Sequence, residues 1–314
     1  MSEPNMSESS KSESSKSERS MSLCRSALFM PASSERVLAK GPTLDCDAVI
    51  VDLEDSVAPD AKDASRRSAV AALTEQDYAF RLRALRVNAV DTEWHADDMQ
   101  AAVVCKPDVL VLPKVDSADD IAKVSAVLDA QALDCEIWAM IETPVAVLHV
   151  EEIAASVRQH ARLTRLVAGT NDLARTVGMP ISRDRHYLLP WLMQCVAAAK
   201  AYGLQILDGI YNDFADSEGF AAECHAGVMM GMDGKTLIHP MQIAPANAAW
   251  TPSAEQLNEA REIVTTFAQP QYEHAGVVQI NGRMVERLHL EMAQRALAIA
   301  SDIARRGETS TAMK

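Results

Sequence analysis

Two carboxylates stand where apolar runs stop. Residues 137–141 form a run of Ile, Trp, Ala, Met and Ile that ends in Glu142, Thr143 and Pro144. Residues 166–170 form a second, Leu-Val-Ala-Gly-Thr, which ends in Asn171 and Asp172. Short apolar runs of this kind are the pattern of buried strands, so an acid at the end of one has no apolar reason to be there. Two hard oxygen donors with open positions beside them suit Mg²⁺, which takes one or two carboxylates from protein and completes its shell with water and substrate. Helix capping is the other account of each residue taken singly, since Asp is a common N-cap and Pro144 fits the first position of a helix. The pairing favours the metal.

The elements that must position this pair repeat along the chain. Further strand-like runs lie at residues 26–31, 48–55, 85–88, 109–114, 204–208 and 235–240. Helical patterns separate them, one opening at Ser33 and Ser34 and others over 62–73, 94–104, 117–130, 145–158, 187–202 and 216–231. Eight apolar runs alternating with helices predict parallel strands buried on both faces. The expected fold class is α/β, a (β/α)₈ TIM barrel whose functional groups gather at the carboxyl ends of the strands. Those ends carry Asp52, Glu54, Asp55, Arg86, Lys114, Glu142, Asp172, Asp208 and His239. No Gly-x-Gly-x-x-Gly follows any strand, which argues against a doubly wound dinucleotide fold.

Past the barrel, Ser253 and Gln256 form a capping box for a helix over 253–269. Residues 277–280 predict a short strand, Asn281-Gly282 a tight turn, and 284–305 an amphipathic helix with Leu290, Ala293, Ala296, Leu297, Ala300 and Ile303 on one stripe. Such a stripe must pack on its own barrel or on a neighbour. The expected organisation is a tail over residues 1–22, a catalytic barrel over 23–270, and a helical C-terminal extension over 271–314 that packs on a neighbouring subunit. The tail is built from Ser, Glu and Lys, lacks the apolar core of a signal peptide, and predicts disorder.

Composition narrows the classes. The formal charge of −14 would repel a phosphate backbone, so nucleic acid is not an expected partner. No apolar stretch approaches the roughly 20 residues needed to span a bilayer, so a membrane is not an expected partner. The six scattered cysteines form no Cys-x-x-Cys, which argues for a reduced, cytoplasmic setting and against a zinc site. There is no Gly-x-Ser-x-Gly, and the glycines before Lys235 and Thr236 are too close for a phosphate loop.

Eight motifs in order resemble a known family. They are Arg25-Ser26 with Phe29-Met30-Pro31, Val51-Asp52-Leu53-Glu54-Asp55-Ser56-Val57, Arg86-Val87-Asn88, Leu112-Pro113-Lys114, Met140-Ile141-Glu142-Thr143-Pro144, Gly169-Thr170-Asn171-Asp172-Leu173, the run from Gly234 to Pro240, and Gly282-Arg283-Met284-Val285-Glu286. The chain is similar to the citrate lyase beta subunit (CitE-like) branch of the HpcH/HpaI aldolases, which are CoA-ester lyases. The resemblance implies an Mg²⁺-dependent carbon–carbon lyase that cleaves a 3-hydroxyacyl-CoA, such as citramalyl-CoA, malyl-CoA or citryl-CoA, to acetyl-CoA and a 2-oxo acid. A thioesterase of the same acyl-CoA, a free-aldehyde aldolase and a catalytically poor binding or complex subunit are the alternatives.

The same resemblance assigns roles. Glu142 and Asp172 would hold Mg²⁺, with Glu142 also at the substrate, and Asp52, Glu54 and Asp55 would lie around them. Arg86 would bind the substrate carboxylate, although an Arg at a strand end equally serves as an ion-pair partner for Glu54 or Asp55. Arg36 and Lys40, one turn apart on the first helix, would contact CoA, as would Ile238 and His239. Glu286 stands where many relatives carry the catalytic Asp, donated across the interface of a homotrimer. Glu is one methylene longer, and His289 is a nearby substitute. An exposed basic helix face, a structural His and a surface Glu favoured by a helix dipole are the plain accounts of these last positions.

Overall fold

The computed structural model describes residues 23–180, 182 and 184–312. The expected tail therefore lies outside the described residues. Eight strands form a closed barrel in sequence order, every neighbouring pair parallel. They are β1 (Ser26–Pro31), β2 (Ala48–Asp52), β3 (Leu82–Arg86), β4 (Val109–Leu112), β5 (Glu136–Ile141), β6 (Leu163–Ala168), β7 (Gln205–Asp208) and β8 (Gly234–Leu237). The intervening helices are α1 (Glu35–Leu38), α2 (Lys62–Glu75), α3 (His95–Cys105), α4 (Ala118–Ala130), α5 (Pro144–Leu148), α6 (Val150–Ala155), α7 (Thr170–Val177), α8 (Leu189–Ala201), α9 (Ser217–Met230) and α10 (Ile243–Ala249). This is the (β/α)₈ barrel the alternation predicts.

Strand side chains alternate between two faces, and here the two faces are two cores. Ala48, Ile50, Ala84, Val111, Trp138, Met140, Val167 and Leu207 fill the barrel interior. Val49, Val51, Leu85, Leu110, Leu112, Ile137, Ala139 and Ile206 pack outward against the helices. Continuing each inward series by two residues gives Asp52, Arg86, Glu142 and Gly169. Strand parity therefore aims the acids and the arginine at one mouth. At the other end β1 and β8 close tightly, for a Cβ on Gly234 would stand 1.9 Å from the Cys24 carbonyl oxygen.

Two elements differ from expectation. The helix expected over 145–158 is two short helices and a 3₁₀ turn, Ser156–Arg158. The terminal helix starts at Arg287, because Arg283–Glu286 is strand β10, paired antiparallel with β9 (Val277–Ile280). The positive φ of Asn281 and Gly282 is what a two-residue hairpin turn demands. α11 (Ala254–Phe267), the hairpin and α12 (Arg287–Ala312) share a core of Ala260, Ile263, Phe267, Val278, Val285 and Ala293. α12 also reaches its own barrel: Arg306 lies 2.7 Å from Asp47, donates to the Leu23 carbonyl at 2.7 Å, and Arg295 pairs with Asp233. Both aspartates precede strands, so these contacts are at the end opposite the carboxylate mouth.

Gly234→Ala is expected to destabilise the fold by about 2–3 kcal/mol, because only backbone faces the added methyl. Urea unfolding checks this, and an unchanged midpoint would contradict the closure.

Candidate active site at the barrel mouth

A cavity of about 390 Å³ opens at the carboxyl end of the barrel. Asp52, Asp55, Arg86, Glu142, Asn171, Asp172 and Ile238 line it, with Phe29, Met140, Ala168, Gly169, Ile210 and Thr236 as the less polar wall. Neither carboxylate of the predicted pair is a helix cap. Thr143 caps α5, accepting from the Ala146 amide at 2.9 Å, with Pro144 at the first helical position. Gly169 takes the N-cap position of α7, and Asp172 falls in the first turn.

Glu142 is 1% exposed. Its Oε1 accepts the Lys114 backbone N–H at 2.8 Å. Lys114 holds φ +51° to present that donor, a left-handed conformation that costs a non-glycine residue of order 1 kcal/mol. On the other side Gly169 approaches so closely that a Cβ would stand 2.2 Å from the Glu142 Cβ. Burial, the Glu54 carboxylate and the Asp172 carboxylate together push the Glu142 carboxyl up to about 8, against the pull of Arg86.

Arg86 is gripped from two sides. Its Nε and Nη2 donate to the two oxygens of Asp52, each at 2.7 Å, and Nη1 lies 2.7 Å from Glu54 Oε2. That last contact is an ion pair without hydrogen-bond alignment, since Glu54 Oε2 has no hydrogen-bond partner. The guanidinium also stacks on Phe29, 4.7 Å from its centroid. Burial pushes Asp52 up, but Arg86 outweighs it and holds the carboxyl below its ordinary range. For Glu54 burial wins and its pKa is raised, although Lys114 Nζ pairs with Oε1. The ion-pair account of Arg86 thus holds with Glu54, and with Asp52 in addition. Asp55 stands 4.0 Å away.

The acids of the mouth, Asp52, Glu54, Asp55, Glu142 and Asp172, outnumber its cations Arg86, Lys114 and Arg175, the last of which pairs with Asp172. A buried acid whose carboxyl is pushed up to about 8, with a Glu54 oxygen that meets Arg86 without an aligned hydrogen bond, is an environment a cation would suit. Among the described residues no group of three or more His, Cys, Asp or Glu forms an all-protein cage. Glu142 and Asp172 supply two hard oxygens, the number Mg²⁺ usually takes from protein, so the residues present fit that ion.

Other predicted positions fare differently. Ile238 lines the cavity, whereas His239 is turned aside. Its ring accepts from the Met241 amide at 3.2 Å and stacks on Phe214 with centroids 4.6 Å apart. Arg36 and Lys40 are exposed and do not line the cavity. They do not share a helix either: α1 ends at Leu38, and Lys40 caps the 3₁₀ turn Gly41–Thr43 that Pro42 imposes. Glu286 ends β10, exposed, its amide donating to His289 Nδ1 at 3.0 Å, and it does not line the cavity. Asp208 departs from the predicted rim altogether. It faces the helices, fully buried, in a cluster with Arg185 at 2.6 Å and Lys235 at 2.9 Å, and both cations also meet Glu223. A lysine inside an apolar strand was the available signal, because a buried ammonium needs buried partners.

The model of the HpcH/HpaI aldolase/citrate lyase family matches residues 25–240. The chain belongs to this family. A (3S)-malyl-CoA thioesterase of Cereibacter sphaeroides is 44% identical over 280 residues, covering 89% of this chain and 95% of that protein. An L-malyl-CoA/beta-methylmalyl-CoA lyase of the same species is 32% identical over 298 residues, covering 86% and 92%. Among solved structures, the protein CitE of Mycobacterium tuberculosis in complex with magnesium, acetoacetate and coenzyme A superposes with a TM-score of 0.73 at 28% identity. It covers 90% of this chain and 99% of its own. No helix of the described residues is long and apolar enough to cross a membrane.

Two outcomes follow from the geometry. Gly169→Ala would displace Glu142 and weaken Mg²⁺ binding roughly 10- to 100-fold by titration calorimetry, with unchanged affinity the contrary result. The Glu142 carboxyl titrates near 8 in the metal-free fold and near 4.5 when unperturbed. The folded chain therefore holds a proton that the unfolded chain has lost between those values. The resulting stability is complete below 4.5 and is lost as pH rises through 8. Denaturant midpoints of metal-free protein should fall over that window, and Glu142→Gln should flatten the fall. Equal slopes for the two proteins would contradict the burial of that carboxyl.

Proposed function

We propose that this protein is an Mg²⁺-dependent enzyme of 3-hydroxyacyl-CoA thioesters that carry a second carboxylate, malyl-CoA or a near relative, and that it hydrolyses the thioester. The observation that carries the substrate class is a buried guanidinium, Arg86, sharing one cavity with two hard carboxylates, Glu142 and Asp172. Hydrolysis stands ahead of carbon–carbon cleavage because the identity to a malyl-CoA thioesterase is 44% and that to a malyl-CoA lyase 32%. Membership of the family supports cleavage to acetyl-CoA and a 2-oxo acid as the second reading.

Glu142 and Asp172 would hold Mg²⁺, which when bound supplies Lewis acidity to substrate oxygens. Arg86, fixed by Asp52 and Glu54, would bind the acid's carboxylate; its planar fork retains free N–H donors for a directional grip. Lys114 keeps Glu142 in place through its amide. Phe29, Met140 and Ile238 would form the apolar side of the cavity. Ile238, with His239 and its partner Phe214, would flank the CoA arm, and the exposed Arg36 and Lys40 would meet its phosphates. Glu286 would move the proton as acid/base, brought by the extension of a neighbouring copy in a homotrimer. In hydrolysis it accepts a proton from the attacking water as the CoA thiolate departs. In the lyase reading the substrate hydroxyl gives up its proton as the carbon–carbon bond breaks, and Glu286 gives one to the acetyl-CoA carbon so released.

The assay is (3S)-malyl-CoA with Mg²⁺, reading free thiol and 2-oxo acid in parallel. Thiol without oxo acid is expected. Acetyl-CoA with equal glyoxylate would replace hydrolysis by the second reading, and no turnover would overturn both. Glu286→Gln should lower kcat about 10²-fold or more at unchanged Tm. Mixing it with Glu142→Gln should restore activity if the site is shared between copies, and failure to restore any would count against sharing.

A further inference from the structure

The loop after β2 carries the acids that hold Arg86, and one buried lysine holds that loop. Lys62, the first residue of α2, is 5% exposed. Its ammonium donates to the Leu53 carbonyl at 2.6 Å, the Glu54 carbonyl at 2.8 Å and Asn88 Oδ1 at 2.7 Å. Those are all the protons an ammonium has, and none goes to a carboxylate. Nζ also lies 5.0 Å from the Trp94 ring centroid. Asn88 is fixed in turn, with Nδ2 donating to the Leu53 carbonyl at 3.0 Å and to Asp98 Oδ2 at 2.6 Å. The other Asp98 oxygen accepts from Arg66 at 2.7 Å.

A buried charge is normally kept against another charge, because desolvating it is costly. Here it is kept against two successive backbone carbonyls. The effect is mechanical: the chain at Leu53 and Glu54 is tied to α2 and to the segment after β3. From that anchored backbone the Glu54 side chain reaches Arg86 on one oxygen and Lys114 on the other. The Glu54–Arg86 contact is close but misaligned, so it depends on where the loop is held rather than on its own directionality.

We infer that Lys62 is a positioning residue for substrate recognition: by clamping the Leu53 and Glu54 carbonyls it keeps Glu54 on Arg86 and so sets the guanidinium for the substrate carboxylate. The carboxylate part of this inference rests on the reading given under Proposed function. The clamp itself does not.

Lys62→Met in the full-length protein tests it with two readouts. The first is hydrogen exchange of the segment 53–57, where the Leu53 and Val57 amides are bonded at 2.9 and 3.1 Å. Exchange is expected to quicken there and stay unchanged in the outer helices; no change at 53–57 overturns the clamp. The second compares the KM for malyl-CoA with the inhibition constant of 3-hydroxybutyryl-CoA, which replaces the carboxylate by a methyl group. KM should rise about tenfold, the scale of a misplaced binding group, while the inhibition constant stays put. Equal loss for both ligands, or none for either, overturns the positioning role. Lys62→Arg keeps the charge but not the three-way geometry and should show the same pattern in weaker form. Failure of both variants to fold would overturn a role confined to the loop. A wild-type protein inactive on malyl-CoA would count against the proposed function alone, and the exchange result would still decide the clamp.

Discussion

A carboxylate sealed at the end of a barrel strand is stable only if it is protonated or shares its cavity with positive charge. Glu142 is in that position. The barrel wall removes its water, Glu54 and Asp172 repel it, and Arg86, already committed to Asp52 and Glu54, compensates only in part. The chain goes to some length to keep it there, with a left-handed lysine donating an amide and a glycine giving it room. Such an arrangement makes little sense as scaffolding. In the proposed function it is the receptor for a cation.

The rest of the mouth follows from that need. Arg86 and Glu142 arrive by the same rule, the step of two that carries an inward-facing series past the last apolar residue. Being on adjacent or nearby strands of a rigid barrel, they are held more closely than loop residues would be. Asp52 and Glu54 then serve two ends. They hold the guanidinium by two hydrogen bonds to Asp52 and an ion pair with Glu54, and they hold it where it lines the cavity. The cost is a loop of acids that must itself be restrained, which the Lys62 and Asn88 contacts supply.

Much of this was legible in the chain. Buried parallel strands print themselves as continuous apolar runs, and the residue that ends such a run is exposed by contrast. That is why Glu142, Asp172 and Arg86 could be picked out, and why the eightfold alternation implied a barrel. The strand over 277–280 and the turn at Asn281 and Gly282 were equally plain. What the pattern did not carry was facing. Asp208 also ends a strand, but it is one residue out of phase with inward-facing Leu207 and so joins the helices instead of the mouth. Facing is set by register around the closed barrel, which a single strand does not reveal. The partners of Lys62, Lys235 and Arg185 were hidden for a related reason, because they are brought together only by the tertiary fold. The short β10 was masked by the apolar stripe of the helix that follows it, and a tight turn with cross-strand pairing took precedence over helical period there.

The central claim is the place of the cation, and anomalous diffraction from crystals grown with Mn²⁺ in place of Mg²⁺ tests it most directly. The account predicts one strong peak at the barrel mouth, within bonding distance of a Glu142 carboxylate oxygen and of an Asp172 carboxylate oxygen. A peak elsewhere in the molecule, or none at saturating metal, would contradict it.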